Sequence, residues 1–411
     1  MAEPRSPIRL SDEQRFDWLR LIRSENVGPR TFRALINQFA GARAALEALP
    51  ELARRGGARR ALRIAGADEV ERELIAARRA GVRFVALGEP EYPPLLRQID
   101  SAPPVLAVRG RDEALQQPSV AIVGSRNASA AGLAFAERLA RALGEAGYVV
   151  VSGLARGIDM RAHLSSLSTG AIGVLAGGHG KPYPPEAIGM IPRIAEFGAV
   201  VSEMPLEWEP RGRDFPRRNR IVSGMSLGVI VVEAARGSGS LITARFALEQ
   251  GREVMAVPGS PLDPRAEGAN DLLRDGARLC ARLEDAISLF DETRDQHTFA
   301  NLSESSQPEA EEPLWGEQAL FGVDPAATPK ARVADQFDEM NGLSFELGDE
   351  ATVELVASLL GPSPVSLDEL ARAAELDVMK VRAAVIELEL AGRIERSGGD
   401  RVALLAPDES T

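Results

Sequence analysis

Six short apolar runs between residues 119 and 279 constrain this chain more than any other feature. They are Val120-Ala121-Ile122-Val123, Tyr148-Val149-Val150-Val151, Ala171-Ile172-Gly173-Val174-Leu175, Ala199-Val200-Val201, Gly228-Val229-Ile230-Val231-Val232 and Glu253-Val254-Met255-Ala256-Val257. None alternates apolar with polar residues, as a strand with one wet face would. Continuous apolar runs suit strands covered on both faces of a parallel sheet. Each is followed by small or polar residues and then a helical stretch, such as Ala134-Phe135-Ala136-Glu137-Arg138-Leu139-Ala140. The repeat predicts an α/β fold: an extended Rossmann-like, doubly wound, mostly parallel sheet.

At 411 residues there is chain for more than this one core. Residues 1–87 read as a small helical domain of the SAM or helix-hairpin-helix kind. Trp18-Leu19-Arg20-Leu21-Ile22 and Phe32-Arg33-Ala34-Leu35-Ile36 flank the tight turn Asn26-Val27-Gly28-Pro29, with proline at a permitted first-turn position. Such a turn can offer amides to phosphate. Asn26 stands where the motif usually has glycine, and packing is the favoured reading. Two proline-fixed stretches around Tyr92-Pro93-Pro94 and Ala102-Pro103-Pro104 lead into the core, assigned to residues 88–285. Residues 286–350 read as an acidic disordered linker. Residues 351–411 read as three helices and a hairpin, a winged-helix-like domain.

The net charge of −12 looks unfavourable for nucleic acid, yet its distribution removes the objection. Residues 291–350 carry fifteen acids and three bases, which accounts for the whole excess and leaves the remainder balanced. A neutral body can carry a basic groove. One cysteine, Cys280, excludes an internal disulfide framework, and with three scattered histidines it makes no zinc site of the usual spacing. No run of eighteen apolar residues spans a membrane, and residues 1–10 carry charge and proline but no apolar signal core. The expectation is a cytoplasmic protein without metal or cofactor.

In open parallel sheets, ligands bind beyond the carboxyl ends of the strands. Three small-residue loops fall there: one at Gly124, Ser125 and Arg126, one at Ser152-Gly153-Leu154-Ala155-Arg156-Gly157, and one running through Gly239 and Ser240. Glycine admits a phosphate, a helix N-terminus supplies amides, and arginine supplies a permanent cation. Arg211-Gly212-Arg213-Asp214-Phe215-Pro216-Arg217-Arg218-Asn219-Arg220 holds five arginines and an aromatic ring in ten positions. Arginines can follow successive phosphates while Phe215 stacks on a base. Lys181 either adds a phosphate contact or is a lone surface lysine.

Enzymatic readings gather less support. Gly178-His179-Gly180-Lys181-Pro182 lacks the first glycine and the Ser/Thr of a P-loop, and no Gly-x-Gly-x-x-Gly follows the first strand. Asp159 and His163 are four apart on a predicted helix, where a structural hydrogen bond outweighs a catalytic dyad. Asp159 and Glu203 fall near strand ends, with nothing in the sequence to pair them. The alternative function is a nucleotide-processing, phosphoribohydrolase-like enzyme, but the loop from Ala235 to Thr243 lacks the terminal glutamate of that class.

Several separated motifs, in order, resemble the DprA/Smf family. They are Val120–Arg126 as a strand and loop, Ser152–Asp159 with Ala162-His163, Phe215-Pro216-Arg217-Arg218-Asn219-Arg220-Ile221, Gly239–Ala244, Gly251–Gly259 and Gly268-Ala269-Asn270. The resemblance spans residues 90–285. It implies a non-catalytic protein that binds and protects single-stranded DNA in natural transformation, helps load RecA recombinase onto it, and forms homodimers through the Rossmann-like core. Carried over, it places Ser125, Arg126, Phe215, Arg217, Arg218, Arg220, Gly239 and Ser240 at the DNA. His179-Gly180 and Ala187 depart from the family's usual residues, so the resemblance says little about contacts from that loop.

Overall fold

The computed structural model describes residues 9–304, 350–397 and 400–405. The chain divides into two compact units, one comprising Met1–Ile8 with Glu71–Glu311 and the other Arg9–Val70 with Glu312–Thr411. Helices α1 (Asp12–Arg23), α2 (Pro29–Phe39) and α3 (Ala42–Arg55) open the chain, and the division falls within α4 (Ala67–Arg79).

The first unit is built on nine strands. In chain order its elements are β1 (Arg83–Ala86), α5 (Pro94–Arg97), β2 (Val105–Gly110), α6 (Glu113–Gln116), β3 (Ser119–Gly124), α7 (Ala130–Glu145), β4 (Val149–Ser152), α8 (Ile158–Ser166) and β5 (Ala171–Val174). Then come α9 (Met190–Phe197), β6 (Ala199–Ser202), α10 (Asp214–Gly224), β7 (Gly228–Val232), α11 (Gly239–Glu249), β8 (Glu253–Ala256), α12 (Glu267–Arg274), β9 (Arg278–Leu279) and α13 (Leu283–Glu304). The order across the sheet is β1-β2-β6-β5-β4-β3-β7-β8-β9. The six predicted runs are β3 to β8, mutually parallel with β9, while β1 and β2 add an antiparallel margin beyond β6. The chain builds outward from β3 to β6, then returns to place β7 on the other side of β3. That reversal opens a crevice at the carboxyl ends of β3 and β7.

One core cluster joins Val120, Ile122, Val150, Ile230 and Val232 to Leu139 and Leu143 of α7 and Phe290 of α13. A second packs Met190, Ile191 and Ile194 of α9 against Leu175 and Val200. Among the described residues no helix is long and apolar enough to cross a membrane.

Two predicted boundaries move. The helical domain was expected to reach residue 87, but Phe84 and Val85 pair with Ala107 and Leu106, so residues 83–86 belong to the sheet. The acidic linker was expected from residue 286, yet α13 continues to Glu304. Ala286 and Phe290 are wholly buried, the Phe290 ring meets Tyr148 edge-on at 6.3 Å, and Tyr148 donates to Asp291 at 2.6 Å. Apolar residues at 283, 286, 287 and 290 outweigh the acids on the opposite face. The rest of the predicted linker, 305–349, lies outside the described residues.

In the second unit, Ser11 caps α1 through a reciprocal pair with Gln14, and Trp18 packs on Phe32 at 5.0 Å. The C-terminal module follows the predicted plan, with α14 (Glu350–Leu359), β10 (Val365–Ser366), α15 (Leu367–Ala374), α16 (Val378–Leu390), β11 (Ile394–Ser397) and β12 (Arg401–Leu404). Its core gathers Val353, Val356, Leu370, Val381, Val385, Leu388 and Val402.

Since α13 closes the sheet core, Phe290→Ala is expected to destabilise the first unit by about 3–5 kcal/mol. Replacing the exposed Glu292 by alanine should cost almost nothing. Urea midpoints for the two variants check this, and equal midpoints would contradict it.

Candidate nucleic-acid interface

The loops after β3 and β7 face each other across the strand reversal. Gly124 is small for an internal reason: a Cβ there would run into the Val232 carbonyl and the Ile158 side chain. Ser125 accepts from the Asn127 amide at 3.1 Å, and its carbonyl accepts from the Ile158 amide at 3.2 Å. The first loop is thereby fixed to the start of α8. Glu233, at the end of β7, takes a left-handed conformation (φ 52°). This turns its carboxylate onto the start of α7, where it accepts from the Ser129 amide at 2.8 Å and from the Ser129 hydroxyl. The α7 N-terminus, which the sequence suggested for phosphate, already holds an internal anion.

The second loop is similarly engaged. Asp159 accepts from the Gly153 and Ala155 amides at 3.1 and 3.4 Å, and burial raises its carboxyl above the usual range. His163 is wholly buried, and burial pushes its imidazole down to about 3. In the third loop Ser238 caps α11, bonding the Ser240 amide at 3.4 Å and the Ser240 hydroxyl at 2.8 Å, and Ser240 is buried. Asn219 donates to the Gly239 carbonyl at 3.1 Å, stitching α10 to this loop.

The arginine-rich segment is the first turns of a helix, not an extended loop. Asp214 begins α10, accepting from the Arg211 amide at 2.8 Å and from the Trp208 indole at 2.9 Å. Packing on different sides of the helix then divides the arginines. Arg218 is buried and donates to the carbonyls of Gly153 and Val174, and burial lowers its pKa to about 10, still charged at neutral pH. Arg220 is also buried, donating to the Ser101 carbonyl and to Glu203. Both guanidiniums, expected at an exposed surface, are instead committed to internal acceptors. Arg217 faces outward with 45% of its side chain exposed, steadied by the buried Glu203 carboxylate at 3.1 Å.

What remains at the surface is compact. Phe215 is half-buried, the Arg126 guanidinium lies 5.7 Å from its ring centroid, and Tyr183 meets it edge-on at 5.5 Å. Tyr183 is 50% exposed and was not singled out from the sequence, although an aromatic residue among Pro182, Pro184 and Pro185 was the available signal. Arg156 holds that loop by an ion pair to Glu186 at 2.7 Å. The partly buried His179 ring bonds the Ala107 carbonyl at 3.1 Å, and the neighbouring Lys181 is exposed. Among the described residues no acid pairs with Arg126 or Lys181. The structure thus brings Arg126 and Phe215 together with Tyr183, and it sets Arg218, Arg220 and Ser240 beneath the surface.

Fold and site together define an extended Rossmann-like protein whose strand-reversal edge presents cations beside aromatic rings. Comparison with known proteins makes this specific. The model of the DNA recombination-mediator protein A family matches residues 83–291, that of the DprA-like N-terminal HHH domain residues 12–76, and that of the DprA winged helix domain residues 347–400. The DNA processing protein DprA of Bacillus subtilis is 41% identical over 233 residues, covering 56% of this chain and 78% of the relative. Protein Smf of Synechocystis is 33% identical over 336 residues, covering 78% of this chain and 79% of the relative. The X-ray structure of DNA processing protein A from Streptococcus pneumoniae superposes with a TM-score of 0.56 at 29% identity, over 68% of this chain and 98% of that one. The chain belongs to the DNA recombination-mediator protein A (DprA/Smf) family.

The division of arginines is testable by stability alone. Arg220→Ala removes the buried guanidinium that pairs with the buried Glu203 carboxylate, and is expected to cost about 3–5 kcal/mol. Arg126→Ala should stay within about 0.5 kcal/mol of the parent. Thermal melts would contradict the division if the two variants shifted alike.

Proposed function

We propose that this protein binds single-stranded DNA along the strand-reversal edge, without chemistry on it. The observation that carries the reading is the Arg126–Phe215–Tyr183 cluster with Arg217 beside it. Exposed cations neutralise successive phosphates, and aromatic faces stack bases at about 1–3 kcal/mol each with little sequence preference. Membership in the recombination-mediator family supports the same reading. Duplex DNA hides its base faces, so exposed aromatic rings favour a strand whose bases are unstacked.

The non-catalytic reading rests on the titratable groups near the strand ends. Asp159 is held by amides, Glu203 by two arginines, and His163 is sealed from solvent. The further expectations follow from the family resemblance: a cytoplasmic protein, acting in natural transformation, that dimerises through its Rossmann-like core and helps place RecA on the strand. In this reading Gly124, Gly239, Ser240 and Asn219 shape the loops, Arg218 and Arg220 anchor α10, and Lys181 extends the phosphate track.

A titration of oligo-dT at two salt concentrations tests it. Affinity should fall with salt at a log–log slope of about −0.7 per phosphate contacted. Arg126→Ala and Arg217→Ala should each reduce the slope by roughly one contact, and Phe215→Ala should weaken binding at unchanged slope. Binding indifferent to all three changes would place the site elsewhere.

A further inference from the structure

A duplex-reading winged helix lays its third helix in the major groove, which requires one free face with donors or cations on it. Helix α16 keeps Lys380 and Arg382 exposed near its start, but from Ala383 onward it is buried on nearly every side. Val381, Ala384, Val385 and Leu388 face the module's own core. A second stripe, Ala383, Ile386, Glu387 and Leu390, lies outside that cluster at helical spacing, and its members are 3%, 5%, 1% and 0% exposed. That stripe is covered by the helical hairpin module of the same unit.

The contacts are specific. Arg55, at the end of α3, pairs with Glu387 at 3.0 Å, and burial otherwise raises the Glu387 carboxyl above its usual range. Gly56 packs so closely that a Cβ would strike the Glu387 carbonyl. Asn26, at the hairpin turn with φ 58°, donates to the Leu390 carbonyl at 3.0 Å. Arg393 reaches the Gly56 carbonyl at 3.4 Å and Glu354 at 2.8 Å. An apolar stripe with a carboxylate at its centre repels a phosphate backbone and needs a cation-bearing protein surface.

We propose that α16 is a protein-docking element whose partner is the chain's own helical hairpin, so that its stripe from Ala383 to Leu390 is covered by that hairpin and withheld from duplex DNA. The turn that could have offered amides to phosphate is instead anchored to the end of α16. The two modules, far apart in sequence, act as one body, and the covered stripe of α16 takes no part in duplex recognition in this state.

Hydrogen exchange on the full-length protein tests this. Arg55→Glu lies on the hairpin module and leaves the winged-helix core untouched. It should nevertheless speed amide exchange in residues 378–391 by at least about tenfold. Asn26→Ala, a milder change, should act in the same direction. The double exchange Arg55→Glu with Glu387→Arg should restore protection. Exchange in 378–391 unmoved by Arg55→Glu and Asn26→Ala would overturn the proposal. So would protection of that segment in the parent protein by mixed-sequence duplex DNA.

Discussion

The site depends on two arginines that never reach it. Arg218 and Arg220 are sunk beneath α10, one among the carbonyls of Gly153 and Val174, the other against Glu203 and the Ser101 carbonyl. A buried guanidinium is tolerated only when its donors are matched, because desolvation costs several kcal/mol per ion. Those fixed partners set the roll of the helix on the sheet. With Arg218 and Arg220 held on different sides of the helix, Arg217 is left at the rim, and Phe215 sits at the edge beside Arg126. Glu203 completes the arrangement by holding Arg220 within and Arg217 at the rim with one carboxylate.

Much of the architecture is legible in the sequence because buried parallel strands leave an unambiguous trace. Residues 120–123, 148–151 and 228–232 can hardly be anything else. The antiparallel margin is harder, since Val105-Leu106-Ala107-Val108 follows two prolines and reads as extended connector until Phe84 and Val85 are seen pairing with it. The start of α13 is masked by its charge, as acids on the outer face hide an apolar stripe that ends in Phe290. In the site, the sequence identifies the right segment but not its geometry. Ten residues dense in arginine read as one basic surface, whereas separate internal acceptors, distant in sequence, bury Arg218 and Arg220 and leave Arg217 at the rim. Glu233 is less legible still, because a left-handed glutamate capping a helix a hundred residues away leaves no local pattern.

The charge distribution fits the same account. Acidic residues concentrated between 291 and 350 leave a body in which cations and acids balance, and ion pairs engage many of those cations. Arg126, Lys181 and the outward face of Arg217 lie exposed on one edge. The glycine-rich loops do less direct work than their composition suggests. Their amides cap Glu233 and Asp159, which makes them a rigid frame for the arginines and rings.

The most direct test is ultraviolet crosslinking of oligo-dT to the full-length protein, with the attached residues identified by mass spectrometry. Bases stacked at the strand-reversal edge would crosslink to Phe215 and Tyr183. Crosslinks confined to the helical hairpin or the winged-helix module, with both rings unmodified, would contradict the placement of DNA on this edge.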